Sequence, residues 1–150
     1  MPASLVEPSV WLAAVFPTHP FHPLARQCLQ RATPAEPAVF CRSSQQSFLR
    51  LASTPTLLKA YGATGLTNRD ALIALGALMA LPQVSESEEP PGTFALWQRI
   101  AARDSASPKL WMDAYLAAFA ISGGLRLVSL DQEFKNFVPH GLDLNLLLDA

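Results

Sequence analysis

Three acids stand where chemistry is possible. Glu7 follows the apolar pair Leu5-Val6, Asp113 opens the apolar run 114–121, and Asp131 follows the apolar run 125–130. None has a His or Cys nearby at metal-ligand spacing. Carboxylates without nitrogen or sulfur partners suit hard divalent cations such as Mg²⁺ or Mn²⁺ and do not suit zinc. A cation so held serves hydrolytic phosphoryl transfer, by activating water and clamping the reacting oxygens. Each acid also has a plain structural reading. Asp113 can be an ordinary helix-start charge, worth ~0.3–1 kcal/mol. Asp131 can be a turn residue, and Glu7 a surface ion-pair acid. His19, His22 and His140 fall in Pro-rich loops and read as surface residues. The chain has no Gly-rich phosphate loop and no nucleophile-elbow motif.

The elements that must position these acids are legible in outline. The run 114–121 is apolar on every side, so its helix is expected to be buried all round. Asp113 then sits in the first turn, where free N–H groups and the positive dipole end favour an acid. Gly123 and Gly124 stop that helix, because glycine takes the left-handed conformation at no steric cost. Leu125 to Leu130 reads as a buried strand ending at Asp131. Ligands of open α/β sheets lie beyond the carboxyl ends of the strands, which is where Asp131 and Glu7 would meet.

The rest of the chain alternates in the same way. A very short strand ends at Glu7, and a helix follows with Ser9 as N-cap and Pro17 as its stop. Residues 18–23 form a loop, and a second helix covers about Pro23 to Arg31. Residues 38–41 are a second buried strand. Ser43 or Ser44 caps a helix that carries Phe48 and Leu51 inward and ends before Pro55. A short helical turn or helix spans Thr56 to Tyr61. Thr67 and Asp70 form a capping box for a helix over Ala71 to Leu81. Gln83 and Val84 form a minor strand. The acidic stretch Glu86 to Pro91 reads as a solvated surface. Thr93 caps a helix over about Phe94 to Arg103. The tail after Phe134 is an edge strand or a docking segment. The pattern predicts an α/β fold with a small, mostly parallel central sheet of about four or five strands, flanked by helices on both sides.

Bulk properties bound the reading. At 150 residues the chain is expected to be a single domain, 1–150. Half of it is hydrophobic and 15% is charged, which excludes a disordered chain. No apolar run reaches the ~20 residues of a membrane span. No basic region precedes the first apolar stretch, so a secretory signal is not expected. Two cysteines, Cys28 and Cys41, fit a reducing cytoplasm better than a disulfide scaffold, though a bridge between them stays open. A formal net charge of −1 excludes nucleic-acid binding by bulk electrostatics and leaves only a local patch.

Four segments together resemble the PIN-domain ribonucleases of the VapC toxin kind. LVEPSVWLA is similar to the family's opening strand and turn, with Glu7 and Ser9 where Asp and Asn are usual. CRSSQQSFLRL resembles the helix that often supplies a second acid, and Gln45 stands near that place. WMDAYLAAFA resembles the DAYLAALA helix, with Asp113 as its acid. LVSLDQEF resembles the strand followed by D-x-x-F, with Asp131 as its acid. The resemblance implies a PIN fold over the whole chain and a Mg²⁺- or Mn²⁺-dependent endoribonuclease. It implies Glu7 and Asp113 as metal ligands and Asp131 in support of metal or water. Ser9, Gln45 and Arg50 would be second-layer or RNA-facing residues. It also implies a VapB-type antitoxin as partner and, with the high apolar content, a homodimer. Glu7 for Asp and Gln45 for an acid imply an alternative: a PIN-like protein with impaired catalysis that acts through antitoxin or self-association.

Overall fold

Strand β1 (Ser4–Val6) is three residues long and nearly all buried, so it must lie inside a sheet rather than at its edge. A computed structural model describes residues 3–149, and in it β1 is central. The chain runs β1, α1 (Pro8–Val15), α2 (His22–Arg31), β2 (Ala38–Phe40), α3 (Arg42–Ala52), α4 (Pro55–Ala60), α5 (Asn68–Met79), β3 (Val84–Glu86), α6 (Thr93–Ala101), α7 (Leu110–Gly123) and β4 (Arg126–Ser129). A 3-10 helix (Gln132–His140), β5 (Leu144–Leu146) and a last 3-10 turn follow. The five strands are all parallel, in the order β3-β2-β1-β4-β5. The tail thus supplies an edge strand; its last residue, Ala150, lies outside the described residues.

Alternation along each strand sends neighbouring side chains to opposite faces. Val6, Phe40 and Val128 join α1, α2, α3 and α5 in one core. Leu5, Val39 and Leu127 join α6, α7 and the 3-10 helix in the other. Trp11 of α1 stacks on Phe40 at 3.9 Å between centroids, which ties the first helix to the sheet. Helix α7 is buried over Ala114 and Leu116–Ala120, while Tyr115 and Ile121 keep partial exposure. Its C-cap Gly124 has φ +63°, and a Cβ on Gly123 would come within 2.9 Å of the Pro90 ring.

The helix caps differ from the expectation in three places. Ser9 is not the N-cap of α1; Glu7 is, because Pro8 lacks an N–H and starts the helix one residue after the strand. Neither Ser43 nor Ser44 caps α3; Cys41 does, and Ser44 bonds back to it, accepting the Cys41 N–H at 2.9 Å. Gly92 caps α6 at φ +89°, and Thr93, the first helical residue, donates to Pro90 O at 2.8 Å. That helix stops at Ala101, two residues short of Arg103.

The acidic stretch is more engaged than a plain solvated surface. Glu86 ends β3 and pairs with Arg42 at 3.2 Å, and Glu89 accepts the Tyr115 hydroxyl at 2.6 Å. His22 is likewise not a bare surface residue; its Nδ1 lies 2.7 Å from Ala13 O and links α2 to α1. Cys28 and Cys41 are both free thiols. Among the described residues no helix is long and apolar enough to cross a membrane.

Candidate active site

The strand order turns back at β1: β2 and β3 lie on one side, β4 and β5 on the other. Loops leaving β1 and β4 must therefore part in opposite directions, and a crevice opens at the carboxyl ends of these two strands. Glu7 follows β1, and its N–H donates to Val128 O of β4 at 2.9 Å. Asp131 stands two residues past β4, so both acids flank the crevice.

Each acid is held by its own local device. Glu7 Oε2 accepts the Ser9 N–H at 2.9 Å and the Ser9 hydroxyl as well. Burial at this strand end raises the Glu7 carboxyl from its ordinary 4.5 to about 7; the Ser9 bonds oppose the rise, and the charges of Asp113 and Asp131 add to it. Asp113, in the first turn of α7, is half-buried and raised to about 6 by that burial, against the pull of Lys109 and with the push of Asp131 and Glu133. Asp131 caps the 3-10 helix: its Oδ1 accepts the Glu133 N–H at 2.9 Å, and its own N–H donates to the buried Ser129 hydroxyl at 2.9 Å.

The tightest cluster differs from the set expected from the sequence. Asp113, Asp131 and Glu133 each offer an oxygen within 4.8 Å of the others. Glu7 lies outside that cluster, though the charges of Asp113 and Asp131 reach it. Glu133 was missed. The signal was present: an N-cap acid accepts from the N–H of the residue two or three places on, so the second residue after Asp131 must return beside it. Lys109, also missed, reaches Asp131 Oδ2 at 3.3 Å and Glu133 Oε2 at 3.2 Å.

The other expected residues divide. Ser9 is at the site and serves Glu7. Gln45 is buried in the first turn of α3, where its Oε1 accepts from Arg42 at 2.9 Å and its Nε2 faces Met79 Sδ at 3.9 Å. Ser43 donates to Met112 Sδ at 3.1 Å, so the starts of α3 and α7 lie side by side. Arg50 is not brought to the acids. It is exposed in the last turn of α3, about 13 Å along the axis from Cys41 at ~1.5 Å per residue.

The donor set is all oxygen, and two of its members are pushed toward neutral pH by burial and mutual repulsion. Such a group is stabilised by a hard divalent cation, and the residues present fit one. A family model for the PIN domain matches residues 5–138. The chain belongs to the PIN-domain family. Proteins described as Ribonuclease VapC41 from two strains of Mycobacterium tuberculosis are 42% identical to it over 144 residues, covering 95% of this chain and 97% of theirs. Among solved structures, Mycobacterium tuberculosis VapC20, described as a sarcin-ricin loop cleaving toxin, superposes with a TM-score of 0.61 at 16% identity, over 93% of this chain and 96% of that one. Rickettsia felis VapBC2, bound to a DNA fragment from its promoter, gives 0.64 at 10% identity, over 96% and 98%. These two likenesses concern the fold. The all-parallel five-stranded sheet with helices on both faces is therefore a PIN fold.

Proposed function

We propose that this PIN-domain protein is a VapC-type toxin: a divalent-metal-dependent endoribonuclease, restrained by a VapB-type antitoxin and acting in the cytoplasm. The observation that carries the reading is the meeting of Asp113, Asp131 and Glu133, beside Glu7, in a chain so similar to a VapC ribonuclease over nearly all its length. Asp113, Asp131 and Glu133 would hold Mg²⁺ or Mn²⁺, with Glu7 as a further ligand or as the group that orients water. When bound, the ion would activate water and stabilise charge on the scissile phosphodiester.

The chain's own residues do the rest. Ser9 holds Oε2 of Glu7 through its N–H and its hydroxyl and leaves Oε1 without a bond to Ser9. In the metal-free protein burial raises the Glu7 carboxyl to about 7, so a cation bound beside it would favour its charged form. Asp131 is fixed at both ends by backbone bonds and needs little reorganisation. The exposed side chains Leu72 and Ile73 of α5, with Leu66 exposed just before it, would be the apolar groups for self-association as a homodimer. Two observations support the alternative, a catalytically impaired binder: Glu7 stands apart from the tight cluster, and the neutral Gln45 is engaged with Arg42 and Met79.

The test is Mn²⁺-dependent cleavage of a fluorescent RNA by the parent and by Asp113→Asn. The amide keeps the size of the side chain and removes a ligand charge. Loss of cleavage with an unchanged circular dichroism spectrum is expected; cleavage at the parent rate would remove Asp113 from the site.

A further inference from the structure

Lys109 carries more than a surface ion pair. It sits at the N-cap of α7, one turn before Asp113 on the same side of the helix, and its side chain is largely exposed. Its ammonium nevertheless bridges two members of the acidic cluster, at 3.3 Å from Asp131 Oδ2 and 3.2 Å from Glu133 Oε2. Asp131 Oδ1 is committed to the Glu133 backbone, so Oδ2 is the oxygen left for a cation. That is the oxygen Lys109 holds. A divalent ion at ~2.0–2.1 Å from the same oxygens would stand within a few ångströms of the ammonium, where two cations repel. Both cannot stay.

We propose that Lys109 is an internal counter-ion of the metal site: it holds the Asp131 and Glu133 carboxylates together in the metal-free protein, is displaced when the divalent ion binds, and then pairs with a phosphate of the RNA. The inference rests on the metal-nuclease reading above. Its second half follows from reach and surroundings. The displaced ammonium stays anchored at the start of α7, on a flexible four-carbon stem. It lines a cleft of about 260 Å³ together with Arg103, Asp113 and Glu133. An RNA phosphate drawn to the ion is the anion that replaces the lost carboxylates. Lys109 is then a positioning residue, which keeps the ligands gathered without metal and steers the substrate with it.

The experiment titrates Mn²⁺ by calorimetry, without RNA, into the parent, Lys109→Gln and Lys109→Arg. Removing a competitor that makes two exposed ion pairs should tighten Mn²⁺ binding in Lys109→Gln by about three- to tenfold. Lys109→Arg keeps the charge and should stay near the parent. Unchanged or weaker binding in Lys109→Gln overturns the competition, and a parent that binds no Mn²⁺ overturns the metal site and this inference together. In RNA cleavage, log KM should depend on log salt with a slope shallower by about one in Lys109→Gln, as expected for one lost phosphate contact. An unchanged slope overturns the phosphate half.

Discussion

Replacing Glu7 by Gln should stabilise the metal-free protein, and only at high pH. The folded Glu7 carboxyl is raised from 4.5 to about 7. Between those values the folded chain keeps a proton that the unfolded chain has lost, so stability falls as pH rises through this window and levels off above it. At ~1.36 kcal/mol for each pH unit, the ionised carboxylate costs about 3 kcal/mol by pH ~8 and little at pH ~5. The amide of the Glu7→Gln variant cannot ionise and still accepts the Ser9 bonds, so that cost disappears. For a chain of 150 residues, Glu7→Gln should melt about 6–12 °C above the parent at pH ~8 in chelator, and near the parent at pH ~5. Saturating Mn²⁺ should reverse the order, because the ion stabilises the charged carboxylate and not the amide. Thermal melts at both pH values, with and without Mn²⁺, measure all four cases. The same difference at both pH values, or a Glu7→Gln protein less stable than the parent at the higher pH, would refute the account of Glu7 as a buried acid awaiting a cation.

Three further outcomes are expected. Glu7→Asp keeps the N-cap, since Asp caps helices well, and shortens the reach to the family's usual length; cleavage should rise, by up to ~10²-fold if placement of the carboxylate limits the rate, and equal rates for parent, Asp and Gln variants would remove Glu7 from the chemistry. Ser9→Ala removes a hydroxyl that holds the Glu7 carboxyl down, so the acid limb of the cleavage pH profile should move up by about one pH unit; an unmoved limb would count against Glu7 as the titrating group. Ile73→Lys places a charge on the exposed apolar face of α5 and should change folding stability by less than ~0.5 kcal/mol; light scattering at micromolar concentration should then report a monomer where the parent is a dimer, and an equal mass for both would rule out this face.

The alternation of elements, the buried α7 and the strand-end places of Glu7 and Asp131 were legible because each is written locally. Apolar runs, Pro8, Gly124 and the acid in the first turn of α7 act through neighbours a few residues away. Caps were read less well. Ser9 and Ser44, which look like caps, bond instead to the residue before the helix, and a one-residue shift in where a helix starts depends on how the preceding strand lies in the sheet. Glu133 and Lys109 show the limit most clearly. Lys109 belongs to no motif and Glu133 fills a variable place within one, and their meeting depends on the distance between the end of β4 and the start of α7, two elements joined by α7 itself packing back on the sheet. Gln45 and Arg50 belong to one helix and one motif, yet the fold buries Gln45 against Met79 of α5 and leaves Arg50 in water further along α3. Sequence determined which residues could carry charge to the crevice at β1 and β4. Only the packing of helices on both faces of the sheet decided which charges meet there, because burial and repulsion are set by neighbours far apart in the chain.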